Sequence, residues 1–208
     1  MSVMFPGPAG PLEALIDQPA GPPRAVVVFA HPHPQHGGTM HTKAVYQGAK
    51  GLARAGCLVL RFNFRGIGAS GGTFDAGPGE CDDFRAALDY AATTWPGLPI
   101  WAAGFSFGSW VALETGAADS RVSVLVGIAP PVAREGYVFR EILVSAKPKF
   151  FVQGSMDTTC LLKDLWAFYA TLPEPKELAV IDGADHLFVG RATEVGEALE
   201  DLLADFTA

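Results

Sequence analysis

Ser106 stands in Gly104-Phe105-Ser106-Phe107-Gly108, a G-x-S-x-G pattern. Glycines on both sides of a serine allow the tight strand-to-helix turn that exposes a nucleophilic hydroxyl. An apolar run ends at Gly104, and the helix-favouring stretch SWVALETGAA follows, so both arms of that turn are present. The same pattern recurs as Gly68-Ala69-Ser70-Gly71-Gly72, but Ser70 lies eight residues past its strand with no helix behind it; it reads as a turn residue. A serine hydroxyl attacks only when a base takes its proton and a third group orients that base. Beyond Ser106 the one histidine is His186, in the segment GADH. Asp157, in GSMDTT, is the preferred acid; Asp182 and Asp185 are rivals, and Asp185 adjoins His186 too closely to hold its ring. Serine, acid and histidine then follow the chain order that accompanies this turn. Bland roles compete with each assignment: Ser106 and Asp157 as helix caps, His186 as a surface histidine.

These residues need a frame. Short β-rich runs at 24–30, 57–62, 98–103, 121–128, 149–153 and 177–181 alternate with helix-length stretches near 42–55, 80–94, 107–117, 161–171 and 191–206. Most runs are continuously apolar, as expected of strands covered on both faces. The alternation predicts an α/β fold with a mainly parallel sheet and right-handed crossovers. Two weaker runs, 2–5 and 12–16, predict an antiparallel edge hairpin. In such sheets ligands bind beyond the carboxyl ends of the strands, and nearly every chemically capable residue follows a strand.

The 208 residues, 49% hydrophobic and 18% charged, predict one globular domain over 1–208. A formal net charge of −7 argues against a nucleic-acid partner, which calls for a basic surface. No apolar run reaches the length of a membrane span. The first basic residue, Arg24, follows three early prolines, unlike a secretory signal. Cys57, Cys81 and Cys160 cannot all pair, which favours a reducing, cytoplasmic setting.

Over its full length the chain resembles the α/β-hydrolase superfamily, and within it the small bacterial serine hydrolases akin to dienelactone hydrolases and short-chain esterases. The resemblance rests on HPHPQHGG at 31–38, RFNFRGIGASGG at 61–72, GFSFGS at 104–109, and the late GSMD and GADH segments. Dienelactone hydrolases usually carry a cysteine nucleophile, whereas this chain has Ser106. The resemblance implies an oxyanion hole of two backbone N–H groups, one from Phe107 and one from the loop after the strand at 24–30. Proline has no N–H, so Pro32 and Pro34 drop out and His33 becomes the donor. It also implies that a lid would fall between the sixth and seventh strands, where 129–148 leaves room for one short helix. The site is therefore expected to be shallow, with Phe74, Phe105, Phe107, Trp110 and Phe188 as its apolar wall. Arg65 reads as a loop-holding partner of Asp82 or Asp83.

Serine hydrolysis of a small acyl ester or thioester, without metal or cofactor, is the expected function: Ser106, Asp157 and His186 as triad, His33 and Phe107 N–H as oxyanion donors. Its partner is a small-molecule acyl substrate. An acyltransferase is chemically adjacent. Two other classes compete. His31, His33, His36 and His41 form H-x-H-x2-H-x4-H, a spacing that invites a metal. That loop lacks an interleaved acid, and its prolines restrict convergence of the rings. The other competitor is a non-catalytic scaffold of the same fold.

Overall fold

The computed structural model describes residues 1–204 and Phe206. Eight strands form one sheet: β1 (Ser2–Gly7), β2 (Gly10–Asp17), β3 (Ala25–Ala30), β4 (Cys57–Phe62), β5 (Ile100–Phe105), β6 (Val122–Ile128), β7 (Lys149–Gly154) and β8 (Lys176–Ile181). Their order is β1-β2-β4-β3-β5-β6-β7-β8. β1 and β2 form the expected antiparallel hairpin, β2 runs antiparallel to β4, and all remaining pairs are parallel. Among the described residues the α-helices are α1 (Lys43–Arg54), α2 (Pro78–Thr94), α3 (Phe107–Ala118), α4 (Glu141–Val144) and α5 (Leu162–Thr171) between strands, and α6 (Ala192–Ala204) after β8.

Every residue of β3, β4, β5 and β7 is buried, because helices cover both faces of the sheet. The period of two along β3 divides the core. Val26, Val28 and Ala30 pack with Phe84 of α2, Ala112 of α3 and Leu165 of α5. Ala25, Val27 and Phe29 pack with Val45 of α1 and Leu199 of α6 on the opposite face. In register, Ala30 stands beside Phe62 and Gly104, and Gly104 beside Gly127. The parallel strands thus end at one edge, and the loops that follow them share one rim.

The third expected parallel strand begins and ends two residues later than 98–103. Leu98 N–H bonds back to Trp95, and Pro99 offers only its carbonyl, which Val26 N–H takes at 2.9 Å. At the other end Gly104, a poor strand former by itself, and Phe105 are carried into the sheet by β6 partners Gly127 and Ile128. Among the described residues no helix is long and apolar enough to cross a membrane.

On one face α1 and α6 come into backbone contact. A Cβ on Gly51 would lie only 2.0 Å from the Gly196 carbonyl oxygen, and one on Gly196 would strike the Gln47 carbonyl. Gly51→Val must therefore push the helices apart and should lower unfolding free energy by about 3 kcal/mol. Urea denaturation would show a shifted midpoint; an unchanged midpoint would mean the helices slide apart without cost.

Candidate active site

The turn after β5 is made by what Gly104 and Gly108 lack. A Cβ on Gly104 would overlap the Gly108 carbonyl, and one on Gly108 would overlap the carbonyls of Ala30 and His31. Between them Ser106 sits at φ 53°, ψ −119°, a conformation that costs a non-glycine residue roughly 1–3 kcal/mol. Its backbone is held by Ser106 N–H to Ile128 O at 2.8 Å, while Ser109 Oγ–H and Ser109 N–H both reach Ser106 O. The side chain is thereby aimed out of the sheet edge, at the start of α3.

Three loops meet there. Ser106 Oγ lies 2.9 Å from His186 Nε2, and His186 Nδ1 lies 2.7 Å from Asp157 Oδ2. The Asp157 carboxylate is buried and also accepts from Gln153 Nε2, Thr159 N–H and Cys160 N–H, at 2.9, 2.8 and 2.8 Å. Those donors hold it as an acceptor-only carboxylate facing Nδ1, so His186 donates a hydrogen bond from Nδ1–H to Oδ2 and keeps Nε2 free to receive the Ser106 hydroxyl proton. The loops after β7 and β8 are stitched by Ser155 N–H to Ile181 O and Met156 N–H to Ala184 O, at 3.0 and 2.9 Å. That stitching sets the Asp157–His186 distance. The rival acids are engaged elsewhere: Asp182 accepts from Ser155 Oγ–H, and Asp185 from Val189 N–H.

Phe107 is the first residue of α3, so its N–H has no acceptor within the helix. His33 lies in the loop after β3, and its N–H likewise has no acceptor among the described residues. Its ring is 5.1 Å from that of Phe107, which brings the β3 loop against the β5 turn. Gly37 at φ 80° and Gly38, whose Cβ would strike the Pro32 carbonyl, fold that loop back on itself.

The four loop histidines separate into different roles. His31 is fully buried; its Nδ1–H donates to Pro32 O at 2.6 Å and its Nε2 accepts Phe64 N–H at 3.1 Å. Neither nitrogen is left for a metal. His33 Nδ1 accepts Gln35 N–H, and the ring stacks on His36 at 4.4 Å. No three of these histidines converge; among the described residues the one metal-like grouping is Asp157, Cys160 and His186, which shares its atoms with the serine site. This corrects the metal alternative: His31 is held by its own hydrogen bonds and His33 stacks face to face on His36, so the rings do not point at a common centre.

Arg65 resolves its partner as Asp83, through Nε and Nη2 at 3.0 and 2.8 Å plus the Arg65 N–H at 2.9 Å; Asp82 pairs with Arg85. Ser70 is structural, donating to Asn63 O and accepting Glu13 N–H. The expected phenyl wall is also corrected. Phe105 and Phe188 are fully buried beneath His186, and the cleft beside Ser106, about 620 Å³, is lined by Pro32, Pro131, Tyr137 and Leu187 among its apolar groups. Gln153 escaped the sequence reading; as a strand residue in KFFVQG its polarity in an apolar run was the available signal.

Burial of His31 pushes its pKa down from 6.5 to about 4. A folded-state value below the unfolded one means the unfolded chain binds the extra proton first. The resulting stability is full above pH 6.5 and is lost as pH falls through about 4, amounting to about 3 kcal/mol. Urea midpoints across that window should fall in the wild type and fall less in His31→Asn; equal slopes would contradict this account.

Residues 21–150 match the family described as serine aminopeptidase, S33. An uncharacterized protein of Rickettsia prowazekii is 33% identical, with 97% of this chain and 87% of that protein aligned. An α/β serine hydrolase homologue from Coxiella burnetii superposes with a TM-score of 0.91 at 39% identity, covering 98% of this chain and 97% of that one. A lidless α/β serine hydrolase from Xanthomonas campestris superposes at 0.87 with 32% identity, covering 97% and 92%. With relatives matched across almost its whole length and the family match running from before β3 into β7, the chain belongs to the serine aminopeptidase S33 family of α/β hydrolases.

Proposed function

We propose that this protein hydrolyses a small acyl ester or thioester through an acyl-enzyme on Ser106. The observation that carries this reading is the unbroken chain from Asp157 Oδ2 through His186 to Ser106 Oγ, 2.7 and 2.9 Å, opening into a cleft. Ser106 Oγ attacks the acyl carbon as His186 Nε2 takes its proton. Asp157 keeps the imidazole oriented and stabilises the cation that forms. The N–H groups of Phe107 and His33 take the oxyanion, helped by the positive end of α3. Collapse breaks the acyl–leaving-group bond, and His186 returns the proton to the departing oxygen or sulfur. Water, deprotonated by the same imidazole, then releases the acid. No metal or cofactor is required.

Between β6 and β7 only α4 interrupts an irregular segment, and Pro131, Arg134 and Tyr137 from it border the cleft. This short cover fits a small acyl group. The family's description points to a second reading, removal of an N-terminal residue from a peptide. Such a substrate presents an ammonium ion, which a site pairs with a carboxylate. Neither Asp nor Glu lines the cleft, which favours the ester. Three free thiols, two of them buried, fit the cytoplasm.

Wild type should hydrolyse p-nitrophenyl butyrate without added metal. Ser106→Ala should lose about 10⁴-fold or more in kcat, and Asp157→Asn about 10²- to 10⁴-fold. Turnover that survives in Ser106→Ala would refute the mechanism. A fluorophosphonate probe should label wild type at Ser106 alone, and a failure to label together with no turnover would point to a non-catalytic scaffold. An amino-acid p-nitroanilide cleaved faster than the ester would favour the peptide reading.

A further inference from the structure

The cleft beside Ser106 is opposite in sign to the protein around it. The chain holds 22 Asp and Glu against 15 Lys and Arg. The cleft nonetheless gathers two cations, Lys43 and Arg134, with no carboxylate among its lining residues. Lys43 opens α1 and Arg134 lies in the β6–β7 segment, so two separate elements bring a cation to the same space. Both are exposed, and neither forms an ion pair among the described residues. Among the exposed arginines, Arg54, Arg85, Arg121 and Arg191 pair with carboxylates, whereas Arg134, like Arg140, has no ion pair among the described residues. Arg134 makes a neutral contact, Nη1–H to Thr159 O at 3.3 Å, with the residue whose own N–H bonds Asp157.

We propose that Lys43 and Arg134 select an acyl substrate carrying an anionic group, a carboxylate or a phosphate, away from the scissile bond. This rests on the hydrolase reading above and names its substrate class. Unpaired cations at the walls of a concave site concentrate anions there, against a chain whose net charge of −7 repels them elsewhere. The guanidinium of Arg134 can grip either anion in a bidentate manner, while Lys43 acts as a point charge. Removing one cation facing an anion at partly exposed positions should change selectivity by about fivefold.

The test compares mono-(4-nitrophenyl) glutarate with 4-nitrophenyl methyl glutarate, which differ in one negative charge and share leaving group and chain length. The 4-nitrophenyl ester of 4-phosphonobutyrate supplies the phosphate-like arm. At low salt the wild type should favour an anionic ester over the methyl-capped one by about tenfold or more in kcat/KM. That ratio should fall towards one in Lys43→Gln/Arg134→Gln, and also in the wild type as NaCl rises to about 0.5 M. The better of the two anionic arms identifies the anion. A wild-type ratio of one or less, or a ratio unchanged in the double variant, would overturn the proposal. If no ester is turned over, the hydrolase reading fails and binding decides this one. Calorimetric titration of glutarate and of inorganic phosphate into Ser106→Ala should then give a signal that the added Lys43→Gln/Arg134→Gln changes abolish; no signal in either protein, or an equal signal in both, would overturn it.

Discussion

A backbone that must pass through φ 53° at a serine, with no room for a Cβ two residues either side, is the constraint around which this protein is arranged. Gly108 lies against the carbonyls of Ala30 and His31, and only a residue without a Cβ lets the end of β3 come so close to the β5–α3 turn. The same contact brings the His33 loop beside Phe107. One close approach thus fixes both the direction of the Ser106 hydroxyl and the neighbourhood of two free N–H groups. The cost of the strained residue is offset by the sheet on its other side, where Ile128 O receives the Ser106 N–H.

The remaining loops are held by buried polar contacts rather than by regular structure. Asn63 bonds Glu13 and the Met40 N–H, the Arg65–Asp83 pair is buried and bidentate, and His31 ties the β3 loop to Phe64. Each is close to saturation, which matters because a half-satisfied buried network would cost more than an apolar one. Gln153 serves the same end below the site: one NH2 group bridges Asp157 Oδ2 and Cys160 O, bracing the acid against the turn that carries it. The hydrophobic layers above and below the sheet supply most of the folding free energy, but these contacts determine which loop conformations reach the rim.

A frame of this kind supports more than one chemistry, and what distinguishes its users is the lining of the cleft. Here the cover between β6 and β7 is thin and the lining is cationic. Both properties reside on residues that contribute little to the core, such as exposed Lys43 and Arg134. Substrate preference can therefore change without disturbing the strained turn.

Much of this was legible in the chain. Apolar runs of strand length, separated by helix-length stretches, determine a parallel sheet covered on both faces, because such runs have no other way to bury both sides. A glycine-flanked serine between a strand and a helix determines its turn for steric reasons that are local. Asp157 and His186 were legible because each follows a strand, and strand ends share an edge. The structure alone decided the rest. Whether Phe105 and Phe188 face the cleft or the core depends on which side of a loop packs inward, and both went beneath His186. Whether four histidines converge depends on loop shape, and buried hydrogen bonds took His31 away from the other three. The gathering of Lys43 and Arg134, 91 residues apart, at one cleft is a fact of three-dimensional packing. Spacing along a chain reports only local geometry, whereas a charge pattern across a cleft exists only once distant loops have met.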